Sequence, residues 1–327
     1  MDRARLYLAP AVLVGVGTLF ISLRWLWSKR RARPPTHWRK VGEIAEIFVF
    51  PVKSLGPVRL DETECTILGC KSGWLRDRSL LVVDDGDRFF TARKCPKMVK
   101  VIPSISGSIL SLSAPGMTTI SVDLSKVEKK LKVVIWGDTV PSNDCGEEVA
   151  RWLSRYILEK DSGLRLVYYP LDTSSRTISR VNKSFHLFET SDLGVFTDET
   201  SFALMNQASV DDLNTRLEEP VDPLRFRLNF TVKGAPAYEE DTWDWVKIGS
   251  VTFRNVRPCI RCVMTTISPA TGEKHPKVEP LETLKKYRQP GDPAVKSVVG
   301  TSPGFGIHLG LKGPNGIVRV GDPVYVG

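Results

Sequence analysis

The stretch Leu6–Trp27, LYLAPAVLVGVGTLFISLRWLW, holds 22 residues and a single charge, Arg24. As a helix it would be roughly 33 Å long at ~1.5 Å per residue, enough to cross a hydrocarbon core of ~30 Å. Arg24 lies near one end, where its guanidinium can reach the headgroups. Trp25, Trp27 and Trp38 suit the interfacial belt, and Ser28–Lys40 carries six cations and no acid. By the positive-inside rule the C-terminal body stays on the cytosolic side. A cleaved secretory signal has a shorter apolar core followed by small residues, whereas bulky Trp and a basic run follow here. Residues 6–27 are therefore predicted to lie in a lipid bilayer, with residues 1–40 as anchor and basic flank. The moderately apolar segment suits the outer mitochondrial membrane or the endoplasmic reticulum.

That leader distorts the charge of the whole chain. Residues 1–40 contain nine Lys/Arg against one acid and so carry +8 of the formal net charge of +9. The remaining 287 residues are nearly neutral, which argues against a nucleic-acid partner, because such binding draws on a basic body. At 327 residues the length suits about two domains. The 42% hydrophobic and 25% charged composition excludes disordered, collagenous and coiled-coil chains.

Within the body, short apolar runs recur between turn signals. Val41–Val49, Val58–Leu68, Arg78–Val83, Arg88–Ala92, Ile109–Leu112, Thr119–Leu124 and Leu131–Trp136 read as strands, the third and fourth joined by a hairpin turn at Asp84-Asp85-Gly86-Asp87. Val149–Leu158 reads as an amphipathic helix with Asp144 as cap. Leu171–Asp192 is polar and marks a boundary, giving domains at 41–175 and 176–327. Beyond it, Phe202–Met205 and Val210–Leu217 look helical, with Ser209 as a cap, and Leu281–Tyr287 is a brief helix. Phe226–Val232, Val246–Ile248, Val251–Val256, Val263–Ile267 and Gly316–Val320 look like strands. The fold class is mostly β with short helices, a barrel or sandwich.

Six cysteines (Cys65, Cys70, Cys95, Cys145, Cys259, Cys262) sit in a body predicted to face a reducing compartment, so disulfides are not expected. Only Cys259 and Cys262 are close, in Arg257-Pro258-Cys259-Ile260-Arg261-Cys262. The pair could be half of a zinc site that lacks its second half, a redox pair, or buried packing cysteines. A fourth reading is a single thiolate ligand to a soft metal, flanked by Arg257 and Arg261. Cations also gather in strand-ending loops: Lys53-Ser54, Arg76-Asp77-Arg78, Thr91-Ala92-Arg93 and Arg225-Phe226-Arg227-Leu228-Asn229. Singly these read as solvated charge; together they could hold a phosphate and a polar ring system. No Walker A or Gly-x-Gly-x-x-Gly follows a strand, so a nucleotide cofactor is not expected. With four histidines, of which His308 lies near a Gly-rich loop, a His-based triad has little support.

The segments Pro51-Val52-Lys53-Ser54, Leu75-Arg76-Asp77-Arg78, Thr91-Ala92-Arg93, Phe226-Arg227-Leu228-Asn229, Glu240-Asp241-Thr242-Trp243-Asp244, Cys259-Ile260-Arg261-Cys262 with Thr265-Thr266, and Val320-Gly321-Asp322-Pro323-Val324-Tyr325 resemble the mitochondrial amidoxime-reducing component family of the MOSC (molybdenum cofactor sulfurase C-terminal) superfamily. The resemblance runs over essentially the whole chain. It implies a signal-anchor helix, a β-barrel MOSC N-terminal domain and a MOSC core. It also implies a molybdenum–molybdopterin cofactor whose metal takes one protein thiolate. By motif that ligand is Cys262 and not Cys259. Carried over likewise, Lys53, Ser54 and Arg78 hold the phosphate end, Arg227 and Asn229 contact the pterin, and Arg261 flanks it. Asp198-Glu199-Thr200-Ser201 matches the acid-plus-hydroxyl element, with Asp198 near the metal as a proton donor and Thr200 and Ser201 at the cofactor. His308, also at the cofactor, stands where the family has Tyr.

The activity so implied is two-electron reduction of N–O bonds in amidoximes, hydroxylamines and, further out, nitrite. Electrons come from NADH through cytochrome b5 reductase and cytochrome b5. The resemblance places the chain in the mitochondrial outer membrane facing the cytosol, ahead of peroxisomal or endoplasmic reticulum membranes. The competing readings are a cofactor carrier or sulfur-transfer module, and a membrane-tethered scaffold without a metal.

Overall fold

The computed structural model describes residues 33–178 and 185–327. The predicted anchor at 6–27 lies outside them, and among the described residues no helix is long and apolar enough to cross a membrane. The architecture is mostly β with a few short helices.

The largest sheet runs, in spatial order, through Phe230–Lys233, Phe202–Asn206, Gly304–Leu311, Val251–Ile260, Trp245–Ile248, Pro323–Val326, Arg39–Val49 and Val58–Leu60. Arg39–Val49 also pairs with Phe230–Lys233, so the first seven of these close into a barrel. Closure is what lets the strands be apolar within: Ile44, Ile47, Phe202, Phe230, Val246, Phe253 and Leu309 form one buried cluster. The rings of Phe202, Phe230 and Phe253 meet at 5.2–6.1 Å between centroids. The first strand of the body thus completes a barrel built mainly from the second half of the chain.

A four-stranded sheet, Lys130–Ile135, Asp138–Asp144, Leu164–Tyr168 and Leu80–Asp84, packs with the helix Glu147–Leu158 around a second core that includes Leu80, Val82, Leu153 and Leu166. Two smaller sheets complete the fold: Gly316–Arg319 with Glu62–Thr66, Gly69–Ser72 and Leu75–Arg76, and the meander Ile102–Ser106, Ile109–Ser113, Ile120–Asp123.

Several local expectations are corrected. Phe202–Met205 is not helical: Phe202–Asn206 is a strand buried at all five positions, between Phe230–Lys233 and Gly304–Leu311. A short run buried on both faces has no alternation to betray its period. The helix after it is Gln207–Asn214, capped by Asn206, whose side chain accepts from Ala208 N. Ser209 instead donates to the buried Glu240 carboxylate. Val263–Ile267 is no strand: Val263–Thr266 is a 3-10 turn. The Thr265 and Thr266 hydroxyls donate back to the carbonyls of Cys262 and Val263 at 3.0 and 2.8 Å, and these local bonds replace a ladder. Asp144 is not the cap of the helix that starts at Glu147. Gly146 is, and Asp144 receives the Gly146 N–H and pairs with Arg165 and Lys129. Arg88–Ala92 forms only single bridges, and Val58–Leu68 is two strands with a break at Asp61.

Candidate functional site

A cleft of about 510 Å³ opens between loops of the N-terminal half and strand ends of the C-terminal half. That is an ordinary volume for a small-molecule or cofactor site. Lys53, Ser54, Arg78, Asp198, Thr200, Arg227, Asn229, Arg261, Cys262 and His308 all line it. Ser201 does not: its hydroxyl donates to the Ile67 carbonyl at 2.7 Å.

The N-terminal wall is built from turns. Lys53 and Ser54 lie where the chain leaves Arg39–Val49 between two prolines, and the Lys53 N–H donates to the Leu80 carbonyl at 2.9 Å. Arg78 follows Leu75–Arg76, and one of its guanidinium edges pairs with the fully buried Asp77, whose other oxygen accepts from Phe50 N. Eight described non-glycine residues have positive φ, and four of them line the cleft: Ser54 (70°), Arg78 (45°), Trp136 (53°) and Arg227 (54°). Such backbone is costly for side chains with a Cβ, and it is tolerated where the surroundings over-determine it, as at binding sites.

The charge in the cleft is mostly positive and poorly solvated. The guanidinium carbons of Arg78 and Arg227 lie 4.5 and 4.2 Å from the Phe50 ring centroid. Arg227 Nη2 is buried without a hydrogen-bond partner, as is Arg225 Nε. Burial, then the charge of Arg78, lowers the Arg227 pKa to about 9. Burial lowers Lys53 to about 8, against the pull of Asp198. Lys53 Nζ donates to the Phe196 carbonyl at 2.9 Å and to Asp198 Oδ1. Arg93 Nη2 donates to Asp198 Oδ2 at 2.6 Å. Burial alone would raise the Asp198 pKa, but Lys53 and Arg93 override it and hold the carboxyl well below the usual carboxylate range. An ionised, doubly paired carboxylate accepts hydrogen bonds; a proton must reach it before it can pass one on.

The C-terminal wall comes from strand ends. The strand Val251–Ile260 slips register against Gly304–Leu311 twice, between Asn255 and Arg257 and between Pro258 and Ile260. The two cysteines consequently meet different surroundings. Cys259 is buried among Ala203, Met205, Phe226 and Phe305, and burial pushes its thiol pKa up. Cys262 lies past the strand end, partly exposed, and its Sγ accepts from Arg93 Nε at 3.5 Å. Between them, Arg261 donates to the Phe305 carbonyl from Nε (2.8 Å) and Nη2 (2.6 Å), and to the Phe226 carbonyl from Nη1 (2.8 Å). It clamps two backbone segments under the cleft. Beside it, Gly306 (φ 73°) lets the strand Phe202–Asn206 come close, since a Cβ there would lie 2.6 Å from the Leu204 carbonyl oxygen.

Two further residues are committed in ways their types do not reveal. Asn229 Oδ1 accepts from Ala203 N at 3.1 Å and its Nδ2 donates to the Phe48 carbonyl at 3.2 Å, so the amide ties barrel strands together at the cleft floor. Thr200 Oγ1 lies 2.6 Å from the Phe202 carbonyl oxygen and 2.7 Å from His308 Nδ1. The carbonyl has no proton, so the hydroxyl donates to it and accepts from Nδ1–H, which leaves His308 Nε2 as a bare acceptor. Burial, then the positive charges of Arg257 and Arg261, hold the imidazole well below its ordinary pKa and therefore neutral.

Among the described residues no group of three or more His, Cys, Asp or Glu is placed to hold a metal. Buried guanidinium atoms without partners, cations outnumbering acids and one accessible thiol suit an anionic, metal-bearing cofactor. Sequence reasoning missed the contact of Arg93 with Cys262, the exposed Trp136 beside it, and Arg176, whose Nη1 donates to the Thr197 carbonyl at 2.7 Å. Arg93 carried a signal, since it closes the Thr91-Ala92-Arg93 segment; Trp136 carried none.

A fold and cleft of this kind define a class. Residues 41–160 match the family described as MOSC N-terminal beta barrel domain, and residues 194–325 match the family described as MOSC domain. The relatives are more particular. Mitochondrial amidoxime reducing component 2 of Rattus norvegicus is 38% identical over 301 residues, covering 91% of this chain and 87% of the rat protein. Mitochondrial amidoxime-reducing component 1 of Xenopus laevis is 35% identical over 327 residues (99% and 93%), and that of Homo sapiens 36% over 316 residues (96% and 90%). The chain belongs to the mitochondrial amidoxime-reducing component family.

Proposed function

We propose that the protein is a molybdenum-dependent reductase of N-hydroxylated compounds: amidoximes, hydroxylamines and, as a smaller substrate, nitrite. For a hydroxylamine the balance is R–NHOH + 2e⁻ + 2H⁺ → R–NH2 + H2O. The observation that carries the reading is the accessible Cys262 thiol in a cleft with unpartnered buried guanidinium atoms. The relatives' printed names point to the same activity and to mitochondria.

When bound, the molybdenum–molybdopterin cofactor supplies the two-electron redox change. The chain's own residues bind it and govern the surroundings. Cys262 offers the protein thiolate, a soft ligand for a soft metal. Lys53, Ser54 and Arg78 hold the phosphate end, where charge-assisted hydrogen bonds are strongest. Arg227, whose Nη2 has no partner within the protein, would contact the pterin, and Asn229 and Arg261 keep the floor and the Phe305 and Phe226 carbonyls in place. His308, held neutral and turned with Nδ1 to Thr200, keeps Nε2 as the ring's acceptor. Asp198 serves at neutral pH as an anion between Lys53 and Arg93, and protons for the leaving nitrogen enter from solvent or across that ion pair.

Neither a nicotinamide nor a flavin motif is present in the sequence, so electrons come from outside. NADH-cytochrome b5 reductase and cytochrome b5 are the proposed donors. With residues 6–27 anchoring the chain in the mitochondrial outer membrane and the body facing the cytosol, tethering on one surface raises the effective concentration of all three. The test is elemental analysis of the full-length protein joined to N-reduction in a reconstituted chain of NADH, reductase and cytochrome b5. About one molybdenum per chain with turnover of benzamidoxime is expected. Metal without turnover would point to a cofactor carrier, and neither metal nor turnover to a scaffold.

A further inference from the structure

We propose that Arg93 is a positioning residue for the Cys262 sulfur, and that Trp136 is the backing plate that holds Arg93 in place. This rests on the reading of Cys262 as the metal-binding thiolate. Two nitrogens and the plane of one guanidinium are engaged. The Nε edge donates to Cys262 Sγ at 3.5 Å, Nη2 donates to Asp198 Oδ2 at 2.6 Å, and the plane lies over the Trp136 ring with CZ 5.6 Å from the centroid. Asp198 is gripped from its other oxygen by Lys53, itself fixed by the Phe196 carbonyl. The result is a continuous chain of charge-assisted contacts from Phe196 O through Lys53, Asp198 and Arg93 to the sulfur. Lys53 and Arg93 come from the N-terminal half, Asp198 and Cys262 from the C-terminal half, so the chain sets the separation of the two walls at the point where the thiolate sits.

Arginine is the residue type this requires. A planar fork can present one edge to sulfur and another to a carboxylate at fixed angle, which an ammonium cannot do. The backbone is held as well. Lys274 Nζ donates to the Arg93 carbonyl at 3.0 Å, and the N–H groups of Lys94 and Cys95 donate to the Thr91 carbonyl.

Trp136 is the independent observation. It occupies the first position of the two-residue Trp136-Gly137 turn between Lys130–Ile135 and Asp138–Asp144, with φ values of 53° and 91°. Such a turn favours Asn-Gly, and a bulky side chain at positive φ is disfavoured. The indole is also 47% exposed, with its outer contacts being Phe89 (4.9 Å between centroids) and Arg93. A large aromatic placed where neither backbone nor burial favours it is accounted for by the guanidinium it supports. A hydrogen bond to a ligating sulfur draws off donor strength, and outer partners of this kind typically change metal affinity or activity by about 10–100-fold when removed.

The experiment compares Arg93→Lys, Arg93→Gln, Trp136→Phe and Trp136→Gly in the full-length, molybdenum-loaded protein. Three readouts are taken: molybdenum per chain, the Mo(V) electron paramagnetic resonance spectrum, and kcat and KM for benzamidoxime. Both Arg93 variants are expected to shift the Mo(V) g values and to lower kcat about 10–100-fold with KM within about twofold. Trp136→Phe should stay close to the parent. Trp136→Gly should give a raised or unchanged Tm together with the shifted spectrum, which separates loss of the plate from loss of the fold. Spectra of the Arg93 variants that superimpose on the parent, or a rise in KM alone, would overturn the proposal, the latter making Arg93 a substrate contact. Failure of the underlying reading has a different signature: Cys262→Ser would then retain molybdenum and the parent Mo(V) spectrum.

Discussion

The two walls of the cleft are made in opposite ways. The N-terminal wall offers cations on loops: Lys53 between two prolines, Arg78 at positive φ, Arg93 within a turn. The C-terminal wall adds acceptors and a thiol on or beside barrel strands, Asp198, Thr200, Cys262 and His308, to arginines of its own, Arg225, Arg227 and Arg261. Loops held by cross-contacts can aim long charged side chains inward. A closed barrel gives positions that scarcely shift when one residue changes. Both walls carry cations suited to an anionic cofactor, but only the second carries the thiol and the neutral imidazole, so the two should respond differently to substitution.

The sharpest break would come at the Cys262 thiol. Cys262→Ser is expected to reduce N-reduction to background and to remove bound molybdenum, measured by turnover and elemental analysis. If it left both unchanged, the second wall would lose its assigned part. Next is buried charge in the second half. Glu240 is fully buried and accepts from the Ser209 hydroxyl, and burial raises its pKa from the ordinary 4.5 to about 7. The folded state therefore holds the proton more tightly than the unfolded chain between those values. Stability should be greatest below about pH 4.5 as far as this group is concerned and should fall by about 3 kcal/mol as pH rises through 7. Denaturant titrations at pH 5 and 8 should show that loss in the parent and a flatter response in Glu240→Gln.

On the first wall, Lys53→Ala should leave the fold and weaken cofactor retention about 10–100-fold, the equivalent of about 1.5–3 kcal/mol for a charge-assisted hydrogen bond. Dialysis of loaded protein followed by metal analysis reads this directly; retention equal to the parent would dissolve the contrast between the walls. The smallest change should come from Cys259→Ser, which places a hydroxyl among Ala203, Met205, Phe226 and Phe305 at a cost of about 1–3 kcal/mol of stability, with metal content and the Mo(V) spectrum unchanged.

The site proved more legible in the sequence than the strands that carry it. Lys53, Arg78, Arg227 and Cys262 sit in short segments whose residue types survive wherever the loops are placed, so their convergence in one cleft could be anticipated. What their side chains do could not. The amide of Asn229 and the guanidinium of Arg261 are spent on carbonyls brought near by the closed barrel, and the Thr200–His308 contact joins residues 108 positions apart. Phe202–Asn206 and Gly304–Leu311 were misread or passed over for a related reason. One is apolar throughout, the other carries three glycines, and both belong to the interior of a sheet whose closure no local pattern announces. Val263–Thr266 failed differently: β-branched residues suggested extension, while their hydroxyls preferred the nearby backbone.

Barrel closure also fixes an order of events in the life of the molecule. The segment Arg39–Val49 lies between Pro323–Val326 and Phe230–Lys233, so its edges are covered only after strands far down the chain have been made. A nascent chain still on the ribosome has no finished pocket to fill. The cleft is therefore finished only in a chain that already includes Pro323–Val326, a strand that holds the barrel closed without lining the cleft.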